Sequence, residues 1–143
     1  LAQAPRRCDR WILTPHPGEA GRLLGCPAAE VQADRFAAVT ELHRRFGGVC
    51  ILKGAGTLIY DGNGPVDVCA AGNPGMASGG MGDGLTGIVA GLTAQGLPLT
   101  DAARLAVCLH AEAGDRAARG GERGLVASDL IKQLRALVNP PAV

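Results

Sequence analysis

Apolar residues come as short continuous runs in the first half of the chain and at helical spacing in the second. Trp11-Ile12-Leu13 is a strand-like run that stops at Thr14-Pro15-His16-Pro17-Gly18, where two prolines and a glycine predict a loop at a strand end. Glu19 to Leu24 reads as one or two helical turns ended by Gly25. Val31, Ala38, Val39, Leu42 and Phe46 repeat at helical spacing, which predicts a helix from about Pro27 to Phe46, closed by Gly47-Gly48. Val49-Cys50-Ile51-Leu52 is apolar throughout, as expected of a strand buried on both faces of a parallel sheet. Leu58-Ile59-Tyr60 and Val66-Asp67-Val68 flank Asp61-Gly62-Asn63-Gly64, a hairpin turn signal. Beyond it the pattern is helical. Leu85, Ile88, Val89 and Leu92 share one face of a helix ending near Gln95-Gly96. Thr100 is the expected N-cap of a second helix, with Asp101 in its first turn and Leu105, Ala106 and Leu109 behind. Ser128 and Asp129 open a third, stopped by Asn139-Pro140-Pro141. Strands that alternate with helices, followed by stacked helices, predict an α/β protein with helices covering a mostly parallel sheet.

A chain of 143 residues, 47% hydrophobic and 19% charged, has the composition of one globular domain. Aromatics are scarce, so Ala, Leu, Val and Ile build the core. A net charge of +1 without a run of Lys or Arg argues against nucleic-acid and membrane-surface partners. The five cysteines (Cys8, Cys26, Cys50, Cys69 and Cys108) form no CxxC pair and are expected as small core residues of a cytoplasmic protein. No apolar run is long enough to span a bilayer. The chain starts at Leu1 and not at Met, which reads as a piece of a longer protein.

The candidate chemistry lies in three segments. The run from Ala71 to Gly87 is rich in glycine, and Asp83 is its one acid, set where the loop turns into an apolar helix. Glycines let backbone approach a bulky anion closely. The N–H groups near Gly80, Met81 and Gly82 then form an anion hole at a helix N-terminus, with Asp83 as a neighbouring general base. The plainer account is a tight turn with Asp83 as a helix cap. Lys53-Gly54-Ala55-Gly56-Thr57 follows a buried strand, at the end where open α/β sheets bind ligands. Lys53 can pair with phosphate, and the backbone can hold a nucleotide; the plainer account is a strand-to-strand turn with a solvated lysine. It is neither a Walker A loop nor a complete GxGxxG. His16, held between two prolines, either contacts a substrate or bonds to backbone, and Glu19 reads as a first-turn acid. His43 is expected at the surface, and His110 and Glu112 are expected to be structural. No metal-ligand cluster is legible, so an Mg²⁺ ion would be held through nucleotide phosphates and water.

The segments TPHPGEAGRLLG (14–25), LKGAGT (52–57) and GNPGMASGGMGDGLTGIVAGL (72–92) resemble the ADP- or ATP-dependent NAD(P)H-hydrate dehydratase family, in the family's order. The resemblance spans nearly all of the chain and extends to Ala127-Ser128-Asp129-Leu130 in the final helices. It implies a ribokinase-like three-layer α/β/α fold, of which residues 1–143 are the C-terminal portion of one domain. It implies a lyase that repairs hydrated NADH and NADPH with ADP or ATP as phosphoryl donor and Mg²⁺ as cofactor. By the same resemblance, Asp83 deprotonates the substrate hydroxyl and contacts the hydrated dinucleotide. Gly82 and the N–H groups before it hold the transferred phosphoryl group, Lys53 to Thr57 line the nucleotide site, and His16 contacts the substrate. Gly84 departs from the branched apolar residue common in the family, which costs the first helical turn up to about 1 kcal/mol. The family domain is about twice this length. A missing N-terminal half, a fused epimerase domain and a homo-oligomer are therefore expected partners, since the half alone leaves a sheet edge and helix faces uncovered. Leu1-Ala2 reads as the tail of the preceding strand-helix unit. The alternatives are a ribokinase-like kinase for a small alcohol and a non-catalytic nucleotide-binding or oligomerisation module.

Overall fold

The continuous apolar run at 49–52 does form a strand covered on both faces. In a computed structural model, which describes residues 6–139, β2 (Val49–Leu52) is buried at all four positions. Alternate residues serve two cores. Cys50 and Leu52 pack with Val39, Leu42 and Phe46 on one face, while Val49 and Ile51 pack with Leu85, Val89, Ala103 and Val107 on the other. The helices behind these cores make three layers, α/β/α. On the first face lie α1 (Pro17–Leu24), α2 (Ala28–Ala33) and α3 (Arg35–Phe46). On the second lie α4 (Met81–Ala94) and α5 (Leu99–Ala117), with α6 (Ala127–Val138) packed along α5.

The sheet is mixed, where a mostly parallel one was expected. The order is β1-β2-β3-β4, with β1 (Ile12–Leu13), β3 (Thr57–Tyr60) and β4 (Asp67–Cys69). β1 and β2 are parallel, in the register Ile12↔Val49 and Leu13↔Cys50, and α1 to α3 supply the crossover between them. β2–β3 and β3–β4 are antiparallel. The reason is connection length: the segments 53–56 and 61–66 reverse the chain but are too short for a crossover. Among the described residues β1 pairs on one side only. The segment 1–5 that contains Leu1-Ala2, and the stop at Pro140-Pro141, lie outside the described residues.

Other expectations are corrected by local competition. The helix expected from Pro27 to Phe46 is two, because Asp34 leaves helical geometry (φ −144°, ψ 87°) and its carboxylate accepts from Ala37 N–H at 2.9 Å. α5 begins at Leu99, with Pro98 ahead of it, so Thr100 is not the cap; its hydroxyl donates to Asp61 at 2.9 Å and ties the hairpin turn to the helix. His43 is half-buried, edge-on to Tyr60 at 5.4 Å, with Nδ1 2.7 Å from Gly48 O. Of the cysteines only Cys50 is buried, its thiol pushed up to about 12 by desolvation, and Cys108 is exposed. The first turn of α4 is intact at Gly84, whose N–H donates to Gly80 O at 2.9 Å. No described helix is long and apolar enough to cross a membrane.

Candidate functional site

Parallel strands end side by side, so the loops that leave them are neighbours. The β1 loop and the β2 loop are joined where Lys53 N–H donates to Pro15 O at 2.9 Å. Opposite them stands the N-terminus of α4, held against the loops by a 3.1 Å contact between the Thr14 and Thr86 hydroxyls. Between these parts lies a cavity of about 780 Å³, in the range of small-molecule sites. His16, Lys53 to Thr57 and Gly80 to Asp83 all line it, so residues distant in sequence converge on one space.

Each side chain is placed by ordinary local structure. His16 is the N-cap of α1. Its Nδ1 accepts from Gly18 N–H (3.0 Å) and Glu19 N–H (3.3 Å), while Glu19 accepts from His16 N–H at 2.7 Å in a capping box. The ring is exposed and lines the cavity, with Nε2 3.7 Å from Glu19 Oε1. Burial opposes ionisation of Glu19, but the His16 backbone N–H and the Lys53 ammonium outweigh it and hold the carboxyl below the usual range. Lys53 Nζ stands 3.5 Å from Glu19 Oε2. The same ammonium lies over the first turn of α4: a Cβ built on Gly82 would sit 2.9 Å from it.

That first turn begins at Gly80, whose φ of +85° only glycine adopts at low cost. α4 has no side-chain cap. The Met81 N–H reaches back to Ser78 O at 3.4 Å, whereas no hydrogen bond engages the Gly82 N–H among the described residues. Asp83 is exposed and likewise without a hydrogen-bonded partner among them. A lysine therefore sits against the positive end of a helix dipole, and among the described residues Glu19 is its ion-pair partner. Such a place attracts an anion, and a carboxylate waits beside it.

Three supports hold these loops: His110, expected to be structural, and Asp115 and Arg35, which sequence reasoning missed. His110 lines the cavity from α5, and its Nε2–H donates to Met81 O at 2.9 Å, which fixes the turn. Asp115, one turn further on, accepts from Gly72 N–H (3.0 Å) and Asn73 Nδ2 (2.9 Å), fastening the other end of the glycine-rich loop. Arg35 grips the β2 loop from α3. The available signal was position: His110 follows Ala103, Ala106 and Val107 on the buried face of α5. An ionisable group there asks for a partner.

His110 gives a pH prediction. Burial lowers its pKa, the Met81 carbonyl partly opposes this, and the Lys53 charge adds to the lowering. The unfolded chain then binds the proton more readily than the folded one. Stability is full above the unfolded value near about 6.5 and falls as pH drops through it towards the lower folded value. Urea midpoints measured against pH should show this decline, and His110→Gln should flatten it. An equal decline in the variant would assign the effect to another group.

Comparison with known proteins identifies the family. The family model for NAD(P)H-hydrate dehydratase matches residues 1–136. The bifunctional NAD(P)H-hydrate repair enzyme Nnr of Coxiella burnetii is 58% identical over 98% of the chain, which spans 29% of that protein. The ADP-dependent (S)-NAD(P)H-hydrate dehydratase of Neisseria meningitidis is 43% identical over 94% of the chain, which spans 46% of it. The crystal structure of the ADP/ATP-dependent NAD(P)H-hydrate dehydratase of Bacillus subtilis, co-crystallised with ATP/Mg²⁺, superposes with a TM-score of 0.83 at 33% identity. That match covers 89% of this chain and 46% of the other. The chain thus spans less than half the length of these relatives, with a ribokinase-like α/β fold also seen in an Enterococcus faecalis superfamily member at a TM-score of 0.78. It belongs to the NAD(P)H-hydrate dehydratase family.

Proposed function

We propose that residues 1–143 form the nucleotide-binding and catalytic portion of a domain that dehydrates hydrated NADH and NADPH at the expense of ADP or ATP. The observation that carries this reading is the pairing of Lys53 with the N-terminus of α4, with Asp83 beside them in one cavity. When bound, the nucleotide supplies the phosphoryl group that turns the ring hydroxyl into a leaving group. Asp83 takes the hydroxyl proton as the oxygen attacks the terminal phosphorus, whose bond to the bridging oxygen breaks and releases AMP from ADP or ADP from ATP. The Gly82 N–H and the Lys53 ammonium hold the phosphoryl oxygens, so that positioning and charge supply most of the rate. The C–O bond then breaks with phosphate as leaving group, and loss of the neighbouring ring proton restores the reduced nicotinamide. His16 faces the hydrated dinucleotide through Nε2.

The donor set suits a nucleotide better than a bare metal. Among the described residues no group of three His, Cys, Asp or Glu is placed to hold an ion. Mg²⁺ in this reading is held by nucleotide phosphates and water. The remaining length of the domain and a fused epimerase belong to the same reading, supported by the short span of the chain on its relatives; a homo-oligomeric assembly is proposed with them to cover the side of β1 that pairs with no described strand. Cytoplasmic location fits five unpaired cysteines.

The test uses the protein as encoded by its gene, with ADP or ATP, Mg²⁺ and hydrated NADH. Recovery of reduced-nicotinamide absorbance with stoichiometric free phosphate is expected. Phosphate retained on an organic product would point to a kinase instead. Lys53→Met should raise the KM for nucleotide roughly ten- to hundredfold, the value of a hydrogen bond to a charged group. An unchanged KM would remove Lys53 from the anion site.

A further inference from the structure

Arg35, the first residue of α3, lies across the end of β2 with its guanidinium among backbone carbonyls. Its Nη2 donates to Leu52 O (3.1 Å) and to Lys53 O (3.4 Å), and its Nη1 donates to Ala55 O. Its Nε is buried without a hydrogen-bond partner, so the group has been drawn in for these carbonyls alone. A trans peptide sets the C=O of one residue antiparallel to the N–H of the next. Carbonyls turned towards Arg35 therefore send the N–H groups of Lys53, Gly54 and Gly56 the other way.

The first of these three can be checked directly: Lys53 N–H donates to Pro15 O on the far side. The other two, on Gly54 and Gly56, make no hydrogen bond within the described residues, and both glycines line the cavity. Gly54 has a φ of +147°, and a Cβ there would lie 3.0 Å from Arg35 Nη2. The loop is thus shaped around the guanidinium on one side and left with two unused donors on the other.

We propose that Arg35 is the positioning residue of the nucleotide loop, fixing the Leu52, Lys53 and Ala55 carbonyls so that the Gly54 and Gly56 N–H groups meet acceptor atoms of the adenine nucleotide. This rests on the nucleotide reading of the cavity given above. The planar fork of arginine serves three carbonyls together; a lysine ammonium in its place is a single point donor. Arg35 touches no reacting atom, so its loss acts on nucleotide affinity and not on the chemical step.

The experiment titrates ADP calorimetrically into the wild-type protein, Arg35→Met and Arg35→Lys, and measures turnover of each at saturating nucleotide. Arg35→Met should weaken ADP binding about tenfold or more, with Arg35→Lys in between. Turnover at saturation and the KM for the hydrated dinucleotide should stay within about twofold, since binding is lost uniformly. Millimolar guanidinium ion should restore ADP affinity to Arg35→Met. Wild-type affinity in Arg35→Met would overturn the proposal, as would a fall in turnover that guanidinium does not repair. If Arg35→Met does not fold, Arg35→Lys, which keeps the stem and charge, decides by the same titration. Failure of the wild-type protein itself to bind ADP would overturn the nucleotide reading, and this proposal with it.

Discussion

Asp83→Asn should lower the proposed dehydration at least about a hundredfold, the scale of a lost general base, and leave nucleotide binding largely intact. The geometry separates the two effects. Asp83 is exposed, and no hydrogen bond of the fold uses its carboxylate among the described residues. Asparagine keeps its shape but accepts no proton. Its place in the first turn of α4 makes the charge worth about 0.3–1 kcal/mol to the helix, so the variant stays folded. In the proposed function the nucleotide contacts come from Lys53, the Gly82 N–H and the β2 loop, none of which Asn disturbs. The measurement is phosphate release from hydrated NADH beside an ADP titration. Turnover at the wild-type rate would remove Asp83 from the chemistry, and loss of ADP binding would make it a binding group.

Gly48→Ala should cost about 2–5 kcal/mol, the largest stability effect expected of a single added methyl here. Gly48 has a φ of +63°, and a Cβ on it would lie 2.4 Å from both Trp11 O and Trp11 Cδ1. Trp11 O is already the acceptor for Val49 N–H at 3.0 Å, at the start of the β1–β2 pair. The methyl therefore forces strain into the one parallel ladder among the described residues. Gly64→Ala is the control, with a similar φ of +67° and nothing within 4 Å, so it pays the backbone term alone, about 1–2 kcal/mol. Denaturant midpoints of the two variants, at equal slopes, give the difference. Equal losses would show that β1 yields without cost.

Much of this was legible because it is local. The run Val49–Leu52, the Gly25 and Gly47 helix ends, and the hairpin over Asp61 to Gly64 each follow from residues within one turn or strand. The three loops that line the cavity were legible for a related reason: glycine and proline mark where backbone departs from regular structure. Direction within the sheet was not, since a continuous apolar run looks the same in a parallel and an antiparallel neighbourhood. The connection lengths carried that information. The break at Asp34 was a competition between an apolar period that continues and a side chain that caps, and the cap won. Arg35 was passed over, and the partner of His110 was not foreseen, because their partners are backbone atoms on other elements, which no spacing along the chain records.

The Lys53 N–H bond to Pro15 O has a consequence for how ligands communicate. The loop that carries His16 and the loop proposed for the nucleotide are tied by that one hydrogen bond, so ordering one restrains the other. A ligand on either side then removes part of the entropy its companion would have lost. Thermodynamic reciprocity makes the gain equal in both directions. If the proposed assignment of the two loops holds, synergy between the two ligands follows from this one bond beyond the β1–β2 ladder and needs no moving domain.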